Sequence, residues 1–118
     1  MALLAHPQTI HLTTIGARTG EPRRVEILAQ PYGEGAIVIA SKAGAPTHPA
    51  WFHNLVANPE VTIEVGELKV RARARVAEPT ERAPLWEQTK AAFPGFRDYE
   101  EKTARVIPVV VLEPAAGG

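Results

Sequence analysis

Cysteine is absent from the 118-residue chain, which excludes disulfides, thiol nucleophiles and thiolate-held metals. Net charge is absent as well: 13 Lys and Arg offset 13 Asp and Glu, so no overall field draws the chain to nucleic acid or to an anionic membrane. No nucleic-acid partner is expected. Long apolar runs are also missing. The longest, residues 36–40 and 106–112, are strand-sized, against the ~18 residues a membrane span needs. Residues 1–7 carry neither a basic start nor an apolar run of signal-peptide length. The expectation is a cytoplasmic chain with no integral membrane segment. Metal-ligand spacing is lacking too: His48 and His53 are five apart, His6 and His11 lie far upstream, and no pair has the i, i+4 spacing of a zinc protease. No metal is expected. Ser41 stands outside any Gly-x-Ser-x-Gly elbow, which argues against a serine hydrolase.

What the chain has in quantity is punctuation. Eleven prolines and nine glycines divide a length suited to one domain, residues 1–118, into short segments. Residues 9–15, 23–30, 36–41, 61–65, 68–76 and 106–113 read as strands from β-branched content and alternation. Gly66-Glu67 fits a two-residue type II′ hairpin loop, a register that sets Glu64 opposite Lys69 and Glu60 opposite Arg73. His48-Pro49-Ala50 opens a short helix stopped by Asn58-Pro59. Thr80 reads as the N-cap of a longer helix carrying Leu85, Trp86, Thr89 and Phe93, and a last turn or two spans residues 96–103. The fold class is mainly β: a six-stranded antiparallel barrel with two or three short helices. Residues 1–8 and 114–118 read as flexible ends.

Three places carry possible chemistry. In Gly16-Ala17-Arg18-Thr19-Gly20-Glu21-Pro22-Arg23-Arg24, glycines let backbone N–H groups approach an anion and arginine forks match phosphate or carboxylate. The same pattern also suits a solvated basic turn, and it matches no dinucleotide or Walker fingerprint. Residues 41–54 leave a buried strand through small residues into a helix start bearing Trp51 and Phe52, a ledge on which a flat ring system can lie. The plainer reading has Phe52 and Leu55 capping the barrel. Trp86 and Phe93 share one helix face and read as core, whereas Phe96 and Tyr99 follow a Pro-Gly break and have less reason to be buried. The stripe Lys69, Arg71, Arg73, Arg75 lacks the interleaved aromatics of a single-strand groove.

The blocks Leu12-Thr13-Thr14-Ile15-Gly16-Ala17-Arg18-Thr19-Gly20, Pro22-Arg23-Arg24, Ile39-Ala40-Ser41, Gly44-Ala45-Pro46, Pro49-Ala50-Trp51-Phe52-His53-Asn54-Leu55, Ala57-Asn58-Pro59 and Ile107-Pro108-Val109-Val110 stand in an order and at spacings that resemble the deazaflavin-dependent nitroreductase family, users of coenzyme F420. The likeness runs from about Ile10 to Pro114. It implies a split β-barrel related to flavin-nucleotide-binding oxidoreductases. By the same resemblance, Ala17, Arg18, Thr19, Arg23, Arg24 and Val25 would hold the coenzyme's phosphate and acidic tail. Ile39, Ala40, Ser41 and Lys42, with Ala50, Trp51, Phe52 and Asn54, would flank its ring, with Phe96 beside them. Trp86, Phe96 and Tyr99 would line the acceptor site, and Ser41 and Tyr99 would hydrogen-bond the developing anion or relay a proton.

The implied reaction is hydride transfer from reduced deazaflavin to a small electron-poor acceptor, a quinone, an activated alkene or a nitroaromatic, by a reductase able to pair as a homodimer. The tyrosine frequent at position 96 in the family is Phe here, which removes a hydroxyl and argues against nitro reduction in particular. Rival readings are a non-catalytic deazaflavin carrier, an FMN-dependent enzyme on the same barrel, and an oligonucleotide-binding barrel that the charge balance disfavours.

Overall fold

The computed structural model describes residues 2–115. Strands β1 (Gln8–Ile15), β2 (Pro22–Tyr32), β3 (Gly35–Ile39), β4 (Glu60–Val65), β5 (Leu68–Val76) and β6 (Val109–Pro114) close into an antiparallel barrel in the order β1-β2-β3-β6-β5-β4. Closure leaves no open sheet edge. Three helices sit outside it: α1 (Ala50–Ala57), α2 (Pro79–Ala92) and α3 (Gly95–Lys102).

Period-two alternation decides what fills the barrel. Ile10 and Leu12 of β1, Val61 and Ile63 of β4, and Ala72 and Ala74 of β5 are buried in one cluster with Leu55 and Phe52 of α1. β3 is buried on both faces, as its nearly unbroken apolar run requires. Ala36 and Val38 enter the barrel cluster, while Ile37 and Ile39 face outward into a second core with Val109, Val111, Leu85 and Trp86. Each large side chain so buried contributes about 1.5–3 kcal/mol. Gln30 ties the layers by donating to Thr89 Oγ1 at 2.9 Å, both side chains buried.

The β4–β5 register follows the hairpin reading, with Glu64 opposite Lys69 and Glu60 opposite Arg73, and Gly66 takes φ +58°. Several element ends differ from the sequence reading; β3, for example, spans Gly35–Ile39 and stops before Ser41. α2 begins one residue before Thr80, at Pro79, because proline's fixed φ suits the first helical position; Glu78 is the N-cap and its carbonyl accepts the Arg82 N–H at 2.7 Å. β6 begins at Val109, since Pro108 has no N–H for the ladder, and the Pro108 carbonyl instead accepts from Ala40 at 3.0 Å. β2 continues through Pro31 and Tyr32, so the turn narrows to Gly33 and Glu34.

Both ends expected to be loose make defined contacts. Leu4 is buried, and the Leu3 N–H donates to the Glu34 carbonyl at 2.9 Å. Pro114 pairs with Ala72, and the Ala115 N–H donates to Arg71 at 2.9 Å. Residues 116–118 of the expected tail lie outside the described residues. No helix among the described residues is long and apolar enough to cross a membrane.

Candidate functional site

The turn between β1 and β2 closes on itself through two backbone bonds. Gly20 N–H donates to Gly16 O at 2.9 Å and Gly16 N–H to Glu21 O at 2.8 Å. A third bond comes from α1: Asn54 Oδ1 accepts the Ala17 N–H at 2.9 Å, while its Nδ2 donates to Thr14 Oγ1 at 3.1 Å. The backbone N–H groups of Arg18 and Thr19 are left without a partner among the described residues.

This turn, the start of β2 and one face of α1 enclose a cavity of about 530 Å³, lined by Gly16, Ala17, Arg18, Thr19, Arg23, Arg24, Val25, Ala50, Trp51, His53 and Asn54. Its size is that of a small-molecule site. The three guanidiniums differ in availability. Arg24 is committed to Glu64, with Nε at 3.0 Å from one carboxylate oxygen, and that contact holds the Glu64 carboxyl below its usual range. Arg23 lies 3.5 Å from Glu21. Arg18 is exposed and makes no hydrogen bond or ion pair among the described residues. Opposite the arginines, Trp51 makes no ring–ring contact among the described residues, and its indole N–H has no partner there.

Nine residues expected to touch the coenzyme therefore line one cavity: Ala17, Arg18, Thr19, Arg23, Arg24, Val25, Ala50, Trp51 and Asn54. Asn54 does so with its amide oxygen and one of its two Nδ2 protons already bonded to protein, so it shapes the turn. Ile39, Ala40 and Phe52 are buried in the cores and are not part of the cavity lining. Lys42 is exposed, its Nζ 3.3 Å from Thr47 Oγ1. His53 belongs to the lining and was not singled out as a contact in the sequence.

The residues expected at an acceptor gather elsewhere, where a 3-10 turn at Lys42–Gly44 packs against α3. Gly44 is obligatory there. Its φ is +80°, and a Cβ would meet the Tyr99 carbonyl oxygen at 2.9 Å. Phe96 and Tyr99 meet edge to face at 5.6 Å, half-buried, and neither the Tyr99 nor the Ser41 hydroxyl has a partner among the described residues. Trp86 is placed differently from its expected role at an acceptor. It is 3% exposed, its indole N–H donates to Glu100, and Arg82 lies over its ring at 5.1 Å, so it fastens α3 to α2.

One residue escaped the sequence reading altogether. Arg105 reaches back to the segment before α1: Nε donates to Ala45 O at 2.9 Å, one terminal nitrogen to Ser41 O at 2.7 Å, and the other to Ala40 O at 3.1 Å and His48 Nδ1 at 2.9 Å. These partners lie 57 to 65 residues away along the chain, beyond the reach of local pattern.

Comparison with known proteins bears on the chain as a whole. A family model described as F420H(2)-dependent quinone reductase matches residues 2–114. An F420H(2)-dependent quinone reductase of Mycobacterium tuberculosis is 37% identical over 109 residues, 90% of this chain and 73% of that protein. The solved structure of an F420-H2 dependent reductase superposes with a TM-score of 0.80 at 35% identity, covering 89% of this chain and 93% of the other. A second solved chain, described as a domain-swapped dimer, has the same identity and TM-score and covers 89% of this chain and 79% of its own. On this evidence the chain belongs to the F420H(2)-dependent quinone reductase family, and its six-stranded barrel is that of an F420-dependent oxidoreductase.

Proposed function

We propose that the 530 Å³ cavity between the Gly16–Gly20 turn and α1 holds reduced coenzyme F420, and that the chain passes its hydride to a quinone. The observation that carries this reading is the pairing, in one cavity, of the uncommitted Arg18 guanidinium with the half-buried indole of Trp51. Arg18 and the free N–H groups of Arg18 and Thr19 suit a phosphate and an acidic tail. Trp51, Val25 and Ala50 suit a flat apolar ring. When bound, the reduced deazaflavin supplies a hydride from its C5.

The protein's part is to bind, orient and steady charge. Asn54 fixes the turn that carries the Arg18 and Thr19 N–H groups. Arg23 and Arg24 add positive charge while Glu21 and Glu64 moderate it, so binding should respond to salt. On the α3 side, Phe96 and Tyr99 form an aromatic wall for the acceptor. The Ser41 and Tyr99 hydroxyls, without a hydrogen-bond partner among the described residues, donate to the oxygen that becomes negative as the hydride arrives. Phe96 contributes shape and no proton.

The test is a side-by-side titration of the purified chain with oxidised F420 and FMN, followed by anaerobic turnover of a quinone with reduced F420. Saturable F420 binding with quinone turnover supports the reading. Tighter binding of FMN would replace it with a flavin enzyme, and F420 binding without turnover would replace it with a carrier.

A further inference from the structure

The segment that leads from β3 to α1 is held against its own preferences. Lys42 and Ala43 both take left-handed backbone angles, φ +47° and +53°, which cost L-residues about 1–2 kcal/mol each. Pro49, the N-cap of α1, has no side-chain oxygen to fasten the helix start. Within the segment, Gly44 N–H donates to Ser41 O at 2.9 Å, Ala45 N–H to Lys42 O at 3.0 Å and Lys42 Nζ to Thr47 Oγ1 at 3.3 Å. From outside, Ala40 N–H donates to Pro108 O, α3 packs on Gly44, and Arg105 uses four N–H donors on three carbonyls and one imidazole of this segment. A guanidinium has five N–H donors and accepts nothing. His48 Nδ1 must therefore be the acceptor, which leaves the ring neutral with its proton on Nε2. His48 in turn packs on Phe52 at 4.7 Å and on the cavity residue His53 at 5.7 Å between ring centres.

We propose that Arg105 is a positioning residue for coenzyme binding: it fixes residues 40–45 and the tautomer of His48, and through them the angle at which α1 presents Trp51 and His53 to the cavity. This rests on the cavity being the coenzyme site. α1 is then fastened at two points, Asn54 to the β1 turn and Arg105 with His48 at its approach, and the cavity wall lies between them. Lysine cannot replace the fork, because one ammonium carries three donors on a flexible stem and cannot span three carbonyls and a ring nitrogen.

The experiment combines imidazole ¹⁵N NMR, amide hydrogen exchange and F420 titration on the wild-type chain, Arg105→Lys, Arg105→Ala and His48→Phe. The wild type should show His48 protonated at Nε2 and bare at Nδ1 at neutral pH. Arg105→Lys should lose at least tenfold in F420 affinity, with the KM for reduced F420 rising by a larger factor than kcat falls, and with faster exchange at residues 42–46. Tens of millimolar methylguanidinium should restore a large part of F420 affinity to Arg105→Ala and none to Arg105→Lys. His48→Phe should lose affinity by a smaller factor, since it keeps the three carbonyl contacts. A wild-type His48 carrying its proton on Nδ1, or Arg105→Lys binding F420 within twofold of wild type, overturns this proposal and leaves the cavity reading standing. Failure of the wild-type chain to bind F420 overturns both.

Discussion

Asn54 joins α1 to the β1 turn with both ends of one amide: Oδ1 accepts the Ala17 N–H at 2.9 Å and Nδ2 donates to Thr14 Oγ1 at 3.1 Å. Thr14 is fully buried and Asn54 nearly so, so neither bond is easily replaced by water. Asn54→Ala leaves the Thr14 hydroxyl and the Ala17 N–H short of a partner, which costs about 1–3 kcal/mol. Urea unfolding should show that loss, and F420 binding should weaken as the turn loosens.

Arg18 and Arg24 line the same cavity but differ in what already holds them, and this sets the order of their effects. Arg18→Ala should weaken F420 binding by about 1.5–3 kcal/mol, the scale of a hydrogen bond to a charged group. Arg24→Ala should weaken it less, because Glu64 shares that guanidinium. Glu64→Gln should strengthen binding by freeing it. Fluorescence titration of the three variants at low and moderate salt gives the order directly.

Gly44 and Tyr99 hold the 3-10 turn and α3 together at backbone distance. Gly44→Ala adds a Cβ at 2.9 Å from the Tyr99 carbonyl oxygen at a residue with φ +80°, and should destabilise the chain by about 1–3 kcal/mol while displacing α3. Tyr99→Phe keeps the ring contact with Phe96 and removes only the hydroxyl. It should reduce quinone turnover with little change in F420 affinity. A defect in coenzyme binding alone would remove Tyr99 from the acceptor side.

His48 gives the fold a pH dependence of definite sign. Burial, then the charge of Arg105, then His53, hold its pKa below the ordinary 6.5. The unfolded chain therefore takes up a proton that the folded chain resists. The stability is complete above pH 6.5 and is lost as pH falls from there toward the depressed folded value. The carboxylates Glu64, Glu81 and Glu100 are held below 4.5, Glu81 at about 2 by Arg75 and Tyr32, so their contribution is lost only in more acid solution. Urea midpoints measured between pH 7.5 and 5 should fall for the wild type and stay flatter for His48→Phe.

The parts of the fold that were legible in the sequence are those fixed by near neighbours. The Gly66-Glu67 loop sets the β4–β5 register, and the Gly16–Gly20 turn with Arg18, and Arg23 and Arg24 just beyond it, lines the cavity. What stayed hidden depends on closure. Glu64 faces Lys69 across the hairpin, yet its carboxylate reaches Arg24, because β4 also pairs with β1 and β1 with β2: His11 opposes Glu64 and Thr13 opposes Arg24. Trp86 reads as core from its helix face and as an acceptor contact only from the resemblance; it is buried, and what the sequence did not show is Glu100 of α3 at its indole N–H. Arg105 follows Thr103-Ala104 in a stretch that reads as plain connector, and only folding brings four acceptors around it.

The most direct measurement is the crystal structure of the chain with oxidised F420 bound. The deazaflavin ring should lie against Trp51, with the phosphate within hydrogen-bond distance of the Arg18 guanidinium or the Arg18 and Thr19 N–H groups. A coenzyme seated outside the cavity between the β1–β2 turn and α1 would contradict the assignment.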